Sequence, residues 1–121
     1  MAIRISAPAE NNILEVVYGA EAIGDWEWAR DREDVANAIS STNRSRVLID
    51  ASALPSFPGL VLIQEHNEQV AANEVLSAAK FAVLFACVGE PEQFLHITGS
   101  NRGIRIQCFT SKDDALVWLS F

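Results

Sequence analysis

The sequence predicts one α/β domain: a mixed, mostly parallel sheet of about five strands with about four helices packed on it. Three observations predict it. The chain has 121 residues, 50% of them apolar, which is the length of one domain and enough to bury a core. Strand-like and helix-like segments alternate along it, with no internal repeat, low-complexity stretch or Gly/Ser linker to divide it. Two of the strand-like segments, RVLID at 46–50 and KFAVLFACV at 80–88, are apolar without alternation, as strands covered on both faces are.

The elements follow in order. Ile3 and Ile5 alternate with Arg4 and Ser6, and ILEVVYG at 13–19 is a β-branched run. The turn residues of APAENN lie between them, so the two form an antiparallel pair. Asp25 is placed to cap a helix that runs to about Ser41 and is ended by the polar turn STNRS. RVLID is then a strand, and a long helical stretch from Pro58 to about Ala78 leads into KFAVLFACV. Two such strands flanking a helix make a βαβ unit with a parallel pair. Pro91 suits the first turn of a short helix that ends before TGSNRG at 98–103. Ile104, Ile106 and Cys108 alternate with Arg105 and Gln107 as a strand near an edge. Ser111, followed by Asp113 and Asp114, opens a last helix with both carboxylates where the helix dipole favours them. The order is ββαβαβαβα, with helices on both faces of the sheet.

Composition excludes several classes. MAIRISAPAE alternates apolar and polar residues and reads as a strand, not a signal peptide, so residence in the cytoplasm is expected. No uncharged apolar run reaches the roughly 18 residues of a membrane span. Cys87 and Cys108 have neither a CxxC partner nor a His at metal spacing, and are read as reduced, buried thiols with no metal. Nine Lys and Arg against sixteen Asp and Glu give a net charge of −7, which repels phosphate backbones and makes nucleic acid an unsuitable partner. No Ser-His-Asp, HExxH or Walker-type pattern is present, and no cofactor or catalytic residue is assigned.

The corner DASALPSFPGL, residues 50 to 60, holds the main candidates. Pro58 fits the first helical position, and Phe57, extended because a proline follows, fits the N-cap, so the corner is rigid. Parallel strands bring Asp50, Ser52, Ser56, Phe57, Glu90, Thr110 and Ser111 to the edge where open α/β sheets bind ligands. The alternative is that Asp50 and the serines only brace turns. In the long helix, Leu60, Ile63, Val70, Ala71 and Ala78 form an apolar stripe that also contains Asn67 and Glu74. A polar group on such a line needs a partner, so Asn67 either braces a loop or faces a partly polar pocket. His66 and His96 read as surface or packing histidines. Trp28 aligns with Val35 and Ile39 in the core, whereas Trp26, about 200° away on the helix, is either folded on a loop or exposed at an interface. TGSNRG has the glycines and arginine of an anion loop, but is more simply a tight connection.

RVLIDASALPSFPGL, AKFAVLF and FTSKDDALVWL, in that order and spacing, resemble the SpoIIAA-like group of bacterial domains, related to the STAS domains of anti-sigma factor antagonists and sulphate transporters. The resemblance covers nearly the whole chain. It implies a four-helix, mixed-sheet domain without catalytic machinery that acts by binding a protein partner or a second copy of itself as a homodimer. Related folds have been likened to CRAL-TRIO lipid-binding domains, which implies as an alternative a carrier or sensor of a small apolar ligand. STAS antagonists carry a phosphorylatable serine in an Asp-Ser-Ser-Gly type turn, where phosphate meets a helix N-terminus. Here Ser56 falls where that family has its aspartate, and Phe57 and Pro58 fall where it has the two serines, so the acceptor is lacking. The expected function is a regulatory binding module with Asp50, Ser52, Ser56, Phe57, Trp26 and Asn67 as its contact residues.

Overall fold

The computed structural model describes residues 3–9, 11–20, 25–55 and 59–121, with Asp25 and Trp26 described in backbone only. The elements run β1 (Ile3–Ser6), β2 (Ile13–Tyr18), α1 (Asp25–Thr42), β3 (Arg46–Asp50), α2 (Leu60–Ala72), α3 (Glu74–Ser77), β4 (Lys80–Leu84), α4 (Glu90–Asn101), β5 (Arg105–Phe109) and α5 (Lys112–Leu119). The expected antiparallel start is present: β1 pairs with β2 from Ile3 opposite Tyr18 to Ser6 opposite Glu15. The other pairings are parallel, and the five strands lie side by side in chain order, β1-β2-β3-β4-β5.

That order fixes the layers. Right-handed crossovers that all step in one direction put their helices on one face of the sheet. Trp28, Val35 and Ile39 of α1, Ile63 and Val70 of α2 and Leu95 of α4 accordingly share one core with Val16, Val47, Phe81 and Ile106. Among the described residues the opposite face receives α5 alone, whose Ala115 and Leu119 cover Ile13, Leu48 and Ala82. Helices do cover both faces, but very unequally. Lys80, on the α5 face between Arg46 and Arg105 in the register, is buried. It donates to the Trp118 carbonyl at 2.6 Å and the Phe121 carbonyl at 3.3 Å, with its ammonium 4.4 Å from the Trp118 ring centre. A cation thus meets the negative end of α5, which carries none in its last turn.

Four boundaries differ from expectation. The single helix from Pro58 to about Ala78 is two, because the Asn73 side chain accepts from the Val75 and Leu76 amides and starts a second helix, as a good N-cap does. Glu74 therefore leaves the stripe and is exposed. α2 begins at Leu60 with Gly59 as its N-cap, where Phe57 was expected to cap it and Pro58 to open it; those two residues lie outside the described ones. β4 stops at Leu84, which leaves Cys87 exposed rather than buried. α4 runs on through Thr98–Asn101, so TGSNRG is mostly helix. Its Gly99 lies so close to β5 that a Cβ there would stand 2.9 Å from Ile106 Cγ2. The missing side chain is what lets helix and strand approach. The turn after α1 uses Asn43 at φ 56, a left-handed residue of the kind that ends helices.

Candidate functional site

The corner after β3 is tied by its own residues. One Asp50 carboxylate oxygen accepts from the Ser52 amide at 3.0 Å and from its hydroxyl at 2.6 Å. This is an Asx-type turn, the bracing alternative for these two residues. The Ala51 amide donates to the Leu84 carbonyl at 2.8 Å and anchors the turn to the next strand. Ser56, Phe57 and Pro58 lie outside the described residues, as does the side chain of Trp26. Beyond the corner, Leu60 and Val61 open α2 with 38% and 71% of their surface exposed.

Expecting a ligand crevice at the C-terminal edge of the strands presumes a reversal of strand order, where helices part to opposite faces. The consecutive order found here has no such reversal among the parallel strands. Asp50 and Asn67 consequently do not converge. Asp50 shares the α5 face with Leu48, whereas Asn67 is in the helical layer opposite. What lies under that layer is a partly enclosed cavity of about 60 Å³ between the sheet and α1, α2 and α4.

The cavity has mostly apolar walls, with Asp31, Arg32, His66 and Asn67 as polar lining residues. Val16, Val35, Ile49, Phe81, Val83 and Ile104 supply walls. Asn67, 1% exposed, donates to the Leu95 carbonyl at 3.2 Å and to the Thr98 hydroxyl at 2.6 Å. It is thus both a brace, to a helix rather than a loop, and a pocket residue. The His66 ring stacks on Trp28, centre to centre 3.8 Å and 7° from parallel. Arg32 donates to its Nδ1 at 2.9 Å. An arginine can only donate, so Nδ1 accepts and the ring is the neutral tautomer protonated at Nε2. Burial, and then the Arg32 charge, pull its pKa down to about 3. His66 is a packing histidine, as expected, but one inside a polar cluster.

Asp31 was not expected there. It is 2% exposed, and neither carboxylate oxygen has a hydrogen-bond partner among the described residues. The Tyr18 hydroxyl is the nearby donor and, against the larger effect of burial, lowers the Asp31 pKa, although it does not reach the distance and angle of a formed hydrogen bond. Burial raises the Asp31 pKa, the Arg30 charge opposes that, and Asp34 and Glu27 add to it. Burial and the Asp31 charge likewise push the Tyr18 phenol up. A buried polar group without a partner costs about 1–3 kcal/mol. The sequence held the signal: Asp31 stands three residues after Trp28 and four before Val35, on the same stripe, and the reasoning applied to Asn67 applies to it equally. Cys108 lines none of this. Its thiol donates to the Glu92 carbonyl at 3.3 Å and is pushed up to about 12 by burial and then by the Glu92 charge. Among the described residues no helix is long and apolar enough to cross a membrane.

The whole arrangement superposes on a solved structure. The crystal structure of an anti-sigma factor antagonist from Mycobacterium paratuberculosis matches over 98% of this chain and 95% of that one, with a TM-score of 0.60 and 17% identity. The chain has the fold of an anti-sigma factor antagonist. No family model matches the sequence, and no curated protein does. The five-stranded mixed sheet is the architecture that the SpoIIAA-like resemblance implies, with the short α3 as a helix beyond the expected four.

Proposed function

We propose that this chain is a non-enzymatic regulatory module of bacterial type that works in the cytoplasm by binding another protein or a second copy of itself. The observation that carries the reading is the end-to-end match in fold to an anti-sigma factor antagonist. The contact surface is the corner after β3. Asp50 and Ser52 hold the turn rigid, and Leu60 and Val61 offer apolar surface at the start of α2. Ser56, Phe57 and Trp26 complete the surface. Because the sequence places Pro58 and Phe57 where the STAS turn has its serines, association here does not depend on phosphate at that turn.

The test is Phe57→Ala, followed by sedimentation equilibrium at micromolar concentration and by pull-down of the partner held by the unaltered protein. The expected result is an unchanged unfolding midpoint with association weakened about tenfold, as for loss of an aromatic anchor. Unchanged association in both measurements overturns the corner as the contact surface.

A lipid-like ligand is less well served. An engineered cavity of about 150 Å³ accommodates benzene, and the space here is about 60 Å³. A long alkyl chain fits only if the helical layer moves off the sheet.

A further inference from the structure

The cavity is too small for a lipid, yet it contains an acceptor that nothing in the described chain satisfies. Asp31 is 98% buried by its 2% exposure, lines the cavity, and has two oxygens without a donor. The fold does not require a carboxylate there, because an aliphatic residue would continue the stripe of Trp28, Val35 and Ile39 at no polar cost. We propose that the cavity is a binding site for a small organic cation, a primary ammonium on a short apolar body, whose nitrogen donates to the Asp31 carboxylate.

Four features define that ligand. An ammonium carries three donors and no acceptor, which matches a carboxylate that only accepts. The cationic choice follows from the groups around it. Glu27 and Asp34, on the same helix, add negative potential at Asp31 against the single opposing Arg30. Arg30 is not in the lining; Arg32, the cation that is, donates to His66, and His66 itself is neutral, so neither is left to recruit an anion in place of a cation. Tyr18, Trp28 and Phe81 line the same space, and aromatic rings attract cations as well as alkyl groups. The volume sets the length. A space of about 60 Å³ is well under half of the ~150 Å³ that accommodates benzene, and at ~30 Å³ per water-sized group it holds about two to three heavy atoms, which is an amine of one or two carbons.

The experiment titrates the intact protein with ethylammonium, ethanol and acetate in turn, following backbone amide resonances. Saturable shifts centred on Tyr18, Asp31 and Asn67 are expected for ethylammonium. Binding of ethanol should be weaker by about tenfold or more, and acetate should not bind, because a charge-assisted bond is lost in the first case and repulsion is added in the second. Asp31→Asn keeps the shape and removes the charge, and should weaken ethylammonium about tenfold while leaving association through the Phe57 corner intact. Equal affinity for ethanol and ethylammonium, shifts scattered over the acidic surface, or no saturation with any of the three overturns the proposal. The comparison of the three compounds on the unaltered protein decides the matter even if Asp31→Asn does not fold.

Discussion

Replacing His66 with phenylalanine should reverse its effect on stability between neutral and mildly acid pH. The ring stacks on Trp28 and takes a hydrogen bond from Arg32 that only an unprotonated Nδ1 accepts. Its pKa is lowered from 6.5 to about 3 on folding. A histidine whose folded pKa is depressed binds fewer protons folded than unfolded between those two values, so its contribution to stability is lost as pH falls from 6.5. From pH 7 to pH 4.5 the unfolded imidazole becomes almost fully protonated while the folded one does not. At about 1.4 kcal/mol per pH unit the loss is about 2.5 kcal/mol. That figure depends on the unfolded value and only requires the folded one to lie below about 4. Phenylalanine keeps the stack and does not titrate, but forgoes the Arg32 bond, at a cost of about 1 kcal/mol at neutral pH. The two stability curves should therefore cross between about pH 5 and 6, the variant being the more stable by about 1.5 kcal/mol at pH 4.5. Asp31 acts with the opposite sign, since its raised pKa favours folding as pH falls toward 3.8, but both proteins contain it and the difference between them removes it. Urea unfolding of both proteins at half-unit steps of pH measures this directly. Parallel curves, or an imidazole that titrates in the folded protein above about pH 5.5, would refute the reasoning.

Two further substitutions probe the frame of the site. Gly99→Ala should destabilise by about 1 kcal/mol, the overpacking of about 1–3 kcal/mol against Ile106 Cγ2 outweighing the helix propensity gained. Ile106→Leu has no methyl at that position and should relieve the clash. A double-mutant cycle with no coupling would show that the approach of α4 to β5 is not tight. Lys80→Met removes the cation at the end of α5 together with a costly buried charge, and should leave a net loss of about 1–2 kcal/mol. Faster amide hydrogen exchange confined to α5 is the signature, and uniform acceleration across the sheet would contradict it.

The sheet was legible because its strands announce themselves: β3 and β4 are apolar on both faces and β1 alternates, so their existence and parallel or antiparallel sense followed from the residues. Strand order was not legible, since no local pattern says whether a crossover steps forward or back. Asn73 breaks a helix with neither Gly nor Pro to mark it. Thr98–Asn101 looks like a loop by composition and is helix because Gly99 has Ile106 to lie against. Half of the polar cluster could be read from periodicity, which singles out Asn67 and would have singled out Asp31. The stack of Trp28 on His66 joins two helices distant in the chain, and only the assembled layer brings it about.

The consecutive order of the strands also bears on how the protein is made. Each parallel strand pairs with the one before it in the chain, so the sheet can lengthen at one edge as residues leave the ribosome, each step closing over only the helical crossover between neighbouring strands. Leu48 and Ala82 are the exception, because the helix that shields them follows all five strands in the chain. Until α5 emerges, a nascent chain with its sheet already assembled presents a bare apolar surface, and that interval is when it most needs protection from aggregation.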